Sequence, residues 1–118
     1  MKALLVDDNA LIRRMLRAVL EAEGLECHER GDLAGALRAT RELQPDWCFL
    51  DLHLPDGEGL DLLRSFRAMG SDIPLPQVIL LTGSDAEGIV GRALQLGARA
   101  VLLKPFNPDQ VLAVIRSS

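Results

Sequence analysis

Tyrosine is missing from the 118-residue sequence altogether, and aromatic residues amount to only 3% of it. Any core must therefore be built from Leu, Val, Ile and Ala rather than from rings. No apolar run approaches the roughly 18 residues that a membrane-spanning helix requires, so no membrane partner is expected. The opening residues Met1-Lys2-Ala3-Leu4-Leu5-Val6-Asp7-Asp8 are too short, and turn acidic too soon, to form a secretory signal. A basic excess is lacking as well. The formal net charge is -4, which argues against nonspecific nucleic-acid binding and predicts no direct nucleic-acid contact. Cysteine is scarce: Cys27 and Cys48 lie in apolar, strand-like segments without metal-ligand spacing. Two buried free thiols and a cytoplasmic location are therefore expected. Repeats and low-complexity tracts are also absent, leaving residues 1–118 as a single domain with no effector domain inside the chain.

What the sequence does contain is a regular alternation of short apolar runs and helical stripes. It is 48% hydrophobic and 25% charged, ordinary for a globular domain. Residues 2–6 form an apolar run that stops at Asp7-Asp8, as a buried parallel strand would. Leu11, Ile12, Met15, Leu16, Val19 and Leu20 then recur at helical spacing, with Arg13, Arg14 and Arg17 on the other side. Gly24 ends that helix. A weaker strand over 25–29 has the polar mixture of a sheet edge, and Asp32 caps a second helix that Pro45 stops. Residues 47–52 make a central strand. A third helix follows through Met69, then a loop over 70–77 that is slightly long for its place.

Residues 78–81 form a fourth strand. Ser84-Asp85-Ala86-Glu87 has capping-box spacing and predicts a fourth helix through about Leu96, weakened by Gly88 and Gly91 in its interior. A fifth strand spans 101–103, and Asn107-Pro108-Asp109-Gln110 is a well-formed start for the last helix. Five strands alternating with five helices predict an α/β fold with a doubly wound, five-stranded parallel sheet.

In such sheets ligands bind beyond the carboxyl ends of the strands, at the topological switch point. Four strands end there in polar groups: Asp7-Asp8, Asp51, Thr82 and Lys104. Three carboxylates in one pocket repel each other, by about 4 kcal/mol for a pair about 4 Å apart at an effective dielectric of 20. Either one acid holds a proton or a cation sits among them. An all-oxygen, compact donor set favours Mg²⁺. With Mg²⁺ and Lys104 present the pocket can receive a phosphoryl group, and Asp51 is placed as the nucleophile that forms an acyl phosphate. The Thr82 hydroxyl is a donor that can follow a bound phosphoryl oxygen.

The whole chain resembles the receiver domain of two-component response regulators. The resemblance runs from LLVDDN at 4–9 through LDLHLPDGEGLDLLR at 50–64 and VILLTG at 78–83 to GARAVLLKPF at 97–106. It implies a flavodoxin-like (βα)5 fold with strand order 2-1-3-4-5. It also implies that Asp51 is the phosphoacceptor, that Asp7 and Asp8 hold Mg²⁺ together with the backbone carbonyl of His53, that Thr82 is the switch hydroxyl, and that Lys104 pairs with the phosphate. The Lys104-Pro105 bond is expected to be cis. The implied donor is a sensor histidine kinase or a histidine phosphotransfer protein, with the first helix as a contact for it. A homodimer through the face of the fourth helix, fifth strand and fifth helix is a further expectation. The resemblance makes the chain a phosphoacceptor that assists its own chemistry rather than a turnover enzyme. His53 and Ser84 are placed to flank the acyl phosphate, and His28 reads as a plain surface residue.

One departure stands out. Receivers commonly carry Tyr or Phe three residues before the lysine, where this chain has Val101. The aromatic half of the switch is missing, and a glycine-weakened fourth helix ordered by phosphate is an alternative route. Other functions compete. A haloacid-dehalogenase-like aspartyl phosphatase uses similar groups, but it needs a second acid two residues after the nucleophile, where His53 stands. A flavin carrier shares the fold, but no Ser/Thr/Gly-rich phosphate loop follows the first strand. The third alternative is a receiver-fold docking scaffold that phosphate does not switch; the complete acid–Thr–Lys set argues against it, and Val101 keeps it alive.

Overall fold

The computed structural model describes residues 1–70, 72–85 and 88–117. Its elements in chain order are β1 (Lys2–Val6), α1 (Ala10–Ala22), β2 (Glu26–Arg30), α2 (Leu33–Leu43), β3 (Trp47–Asp51), β4 (His53–Leu54), β5 (Gly57–Glu58), α3 (Gly59–Met69), β6 (Gln77–Thr82), α4 (Ile89–Gln95), β7 (Ala100–Leu103) and α5 (Pro108–Arg116). The main sheet is parallel throughout and runs β2-β1-β3-β6-β7. Without the two-residue strands β4 and β5 this is the expected order 2-1-3-4-5, with the polar-rich β2 at an edge.

Side-chain alternation along the strands separates the core into two layers. Leu4, Val6, Cys48, Leu50, Val78 and Leu80 face one way and pack with Ala36, Ala39, Leu63, Phe66 and Ala93 of α2, α3 and α4. Ala3, Leu5, Phe49, Ile79 and Leu81 face the other way and meet Leu16 and Leu20 of α1 and Val111 of α5. With both faces covered, β3 is buried along its whole length, which is why its sequence reads as a nearly unbroken apolar run. Trp47 opens that strand and carries the Arg99 guanidinium 5.8 Å from its ring centre.

The helix starts follow local chemistry. Asn9 caps α1, its Oδ1 accepting from the Leu11 N–H at 2.9 Å. Asp32 caps α2 through the Gly35 N–H at 2.7 Å, and Gln44 in the left-handed conformation ends that helix just before Pro45. Asn107 and Gln110 form a reciprocal capping box at α5.

The fourth helix departs from expectation. It begins at Ile89 rather than near Ser84, so Ser84 and Asp85 lie outside it. Gly88 has φ +71° and precedes the helix, leaving Gly91 as its interior glycine. Asp85 Oδ1 accepts from the Val90 N–H at 2.8 Å. The expected capping box falls partly on Ala86 and Glu87, outside the described residues. The short antiparallel β4–β5 pair, with His53 opposite Glu58, was not expected either. The Lys104-Pro105 bond is cis. Among the described residues no helix is long and apolar enough to cross a membrane.

Candidate functional site

Strand register brings the polar endings into a row. Val6 pairs with Leu50, so Asp7 follows β1 directly beside Asp51 at the end of β3. Asp51 pairs with Leu81 and Thr82 with Leu103, which brings Thr82 and then Lys104 alongside. The Lys104 N–H donates to the Thr82 carbonyl at 2.7 Å. The crevice opens where β1 and β3 adjoin, the switch point of the sheet.

Carboxylate oxygens of Asp7, Asp8 and Asp51 lie within 4.8 Å of one another. Asp7 is fully buried, Asp51 nearly so, and Asp8 is exposed. The Lys104 ammonium reaches between two of them, 3.1 Å from Asp7 Oδ2 and 3.2 Å from Asp51 Oδ1. Backbone donors complete the set: the Asn9 N–H to Asp7 Oδ1 at 2.8 Å and the His53 N–H to Asp51 Oδ1 at 3.4 Å. Burial, and then the neighbouring Asp7 charge, push the Asp51 carboxyl above the ordinary carboxylate range, against the pull of Lys104 and the His53 N–H. Burial alone would lower the Lys104 amine, but the Asp7 and Asp51 carboxylates outweigh it and hold the ammonium above its ordinary value.

Thr82 is buried, and its hydroxyl donates to the Ser84 carbonyl at 3.0 Å. The His53 ring is exposed, with Nδ1 3.2 Å from Glu58 Oε1. His53 and Glu58 border a groove of about 330 Å³ beside Leu52, shared with Ser84 and Arg92. Val101 is half-buried and packs into the core layer of α2, α3 and α4. Arg13 and Arg17 are not a plain solvated face: both are tied to Glu29 of β2. His28 sits 2.5 Å from Glu26 on the same edge strand. Cys27 and Cys48 are free and buried, with burial pushing their thiols up to about 11 and about 12, respectively.

Three supporting residues escaped the sequence reading. A β-carbon on Gly59 would lie 2.5 Å from the Asp51 carbonyl oxygen, so the Asp51 backbone needs glycine there. Asp56 accepts from the Leu33 and Ala34 N–H groups at 2.8 and 3.1 Å, tying the loop after Asp51 to the start of α2. Arg13 donates to the Asp7 carbonyl. The Pro55-Asp56-Gly57 turn is visible in sequence, but its contact with a helix over twenty residues earlier leaves no local signal.

Comparison with known proteins agrees with this arrangement. The family model described as "Response regulator receiver domain" matches residues 3–116. The DNA-binding response regulator MtrA of Mycobacterium tuberculosis (strain ATCC 25618 / H37Rv) is 40% identical over 116 residues, covering 98% of this chain and 49% of that protein. The phosphate regulon transcriptional regulatory protein PhoB of Klebsiella pneumoniae is 36% identical over 118 residues, again covering 98% of this chain and 50% of that protein. The chain thus spans about half the length of these curated relatives. Among solved structures, the chemotaxis response regulator CheY4 of Vibrio cholerae superposes with a TM-score of 0.88 at 28% identity, covering 98% of this chain and 96% of that one. These matches set aside the dehalogenase-type phosphatase and the flavin carrier. From fold, site and relatives alike, the chain belongs to the response regulator receiver domain family.

Proposed function

We propose that Asp51 accepts a phosphoryl group from a sensor histidine kinase or a histidine phosphotransfer protein. The observation that carries this reading is the cluster of three carboxylates bridged by Lys104 at the switch point. Oxygen donors this close together suit a hard dication. Asp7, Asp8, Asp51 and the His53 backbone carbonyl would hold Mg²⁺, which would supply positive charge for the transferring oxygens. An Asp51 oxygen forms the new O–P bond as the P–N bond to the donor imidazole breaks. The electron pair leaves on the imidazole nitrogen, which takes up a proton. Lys104, now bonded to Asp51, turns to the phosphoryl oxygens, and Thr82 releases the Ser84 carbonyl to follow them. The chain assists these steps without being a turnover enzyme.

Residues 1–118 act as one receiver domain with no effector inside the chain, in the cytoplasm. An apolar groove of about 330 Å³ bordered by Ile12, Met15, Pro105 and Phe106, with Leu11 exposed nearby, suits the donor. Leu94 and Leu103, each 47% exposed, suit a homodimer contact on the face of α4, β7 and α5. Signalling runs through protein contacts, with no direct nucleic-acid contact by this domain.

Incubation with acetyl phosphate and Mg²⁺, followed by intact mass, tests the central step. A gain of one phosphoryl group in the wild type, and none in Asp51→Asn, is expected. No gain, or a gain that survives the substitution, defeats it. The alternative, a scaffold that phosphate does not switch, rests on Val101 alone, and the complete set of acids, Thr82 and Lys104 argues against it. Identical amide exchange in α4 with and without a phosphoryl mimic would support that one.

A further inference from the structure

Arg13 lies one turn inside α1, and its side chain folds back toward the helix start, as long helical side chains do. Its Nη1 donates to the Asp7 carbonyl at 2.5 Å and its Nε to Glu29 Oε1 at 3.0 Å. The gripped carbonyl belongs to the peptide group that joins Asp7 to Asp8. The Asp7 N–H, on the other side of the same residue, donates to the Arg30 carbonyl at 3.2 Å. The loop that carries both acids is therefore clamped to β2 twice, once directly and once through Arg13. Glu29, the anchor, is itself held by Arg17 Nη1 at 2.5 Å. The Arg13 side chain is 22% exposed, which limits the water that can replace its bond to the buried loop.

We propose that Arg13 is a positioning residue for the divalent-cation site, holding the Asp7-Asp8 peptide in place with Glu29 as its anchor. This rests on the reading of the acid cluster as a Mg²⁺ site. The proposal makes a prediction whose sign separates positioning from charge. A guanidinium beside a dication site repels the dication, so removing it as a charge alone would tighten binding. Removing it as a clamp loosens the ligand geometry and weakens binding, as loss of outer-shell support does at metal sites.

Mg²⁺ titration of the full chain by calorimetry tests this. Arg13→Gln is expected to weaken Mg²⁺ binding about 10-fold. Arg13→Lys, which keeps the charge but cannot span both acceptors, should lie between it and the wild type. Glu29→Gln should weaken binding too, although it lies on another element. Arg116→Gln breaks a different ion pair to the end of α1, the 2.7 Å contact with Glu23, and should leave affinity unchanged. Circular dichroism confirms folding of each variant. Unchanged or tighter Mg²⁺ binding by Arg13→Gln overturns the proposal, as does equal weakening by Arg116→Gln. A wild-type chain that binds no Mg²⁺ overturns the cation-site reading itself, and the positioning role with it.

Discussion

Asp51 stands under opposed demands. In the proposed transfer it must be ionised to attack phosphorus, yet burial and the Asp7 charge disfavour its ionised form. Its carboxyl therefore titrates above the value of 3.8 that it would have in an unfolded chain. As pH rises through that window the unfolded chain loses its proton first, so the fold loses stability and does not regain it at neutral pH. Asp51→Asn should therefore stabilise the metal-free protein and raise its melting temperature. It should also flatten the acid side of the stability profile. Lys104 changes stability in the same direction at the alkaline end: its contribution is present below 10.5, the ordinary value, and is lost as pH climbs through its higher folded value. Thermal melts across pH in a chelator check both effects. With Mg²⁺ added the order should reverse, since a ligand that binds only the native wild type stabilises it by mass action.

At the scale of elements, the loop after Asp51 is wired to α2. Asp56 caps the helix from the neighbouring loop, and the Leu33 and Ala34 N–H groups hold its carboxyl below the ordinary range. Asp56→Ala should speed amide exchange at Leu33 and Ala34 roughly 10-fold, and leave Gly35 protected by Asp32. Exchange followed by NMR reads this directly. The wiring also shows where sequence reading stops. β1 and β3 were legible because strands buried on both faces must be apolar, and their polar ends were legible as interruptions of that rule. The starts of α2 and α5 were legible because Asp32 and Asn107 cap their own helices. Asp56 and Arg13 were not, because their partners are carbonyls and amides brought near only by the fold. The start of α4 was misplaced because Gly88 in an interior and Gly88 just before a helix leave the same local pattern; its positive φ decides the matter.

At the scale of the whole molecule, the site lies on the seam between two core layers that share one sheet and little else. That sheet ends differently on its two sides. The β2 edge carries Glu26, His28, Glu29 and Arg30, charges that discourage another strand from adding to it. The β7 edge is Ala-Val-Leu-Leu, with Leu103 47% exposed and no charge inside the strand. Its flanking charges are Arg99, laid over Trp47, and Lys104, drawn toward Asp7 and Asp51. Lys104 is thus the charge at the carboxyl end of an otherwise uncharged edge, where a charge opposes the addition of another strand. Lys104→Ala should scatter light increasingly with protein concentration, and Lys104→Arg should not. A substitution made to probe the acid cluster would then also set how concentrated the protein can be kept in solution.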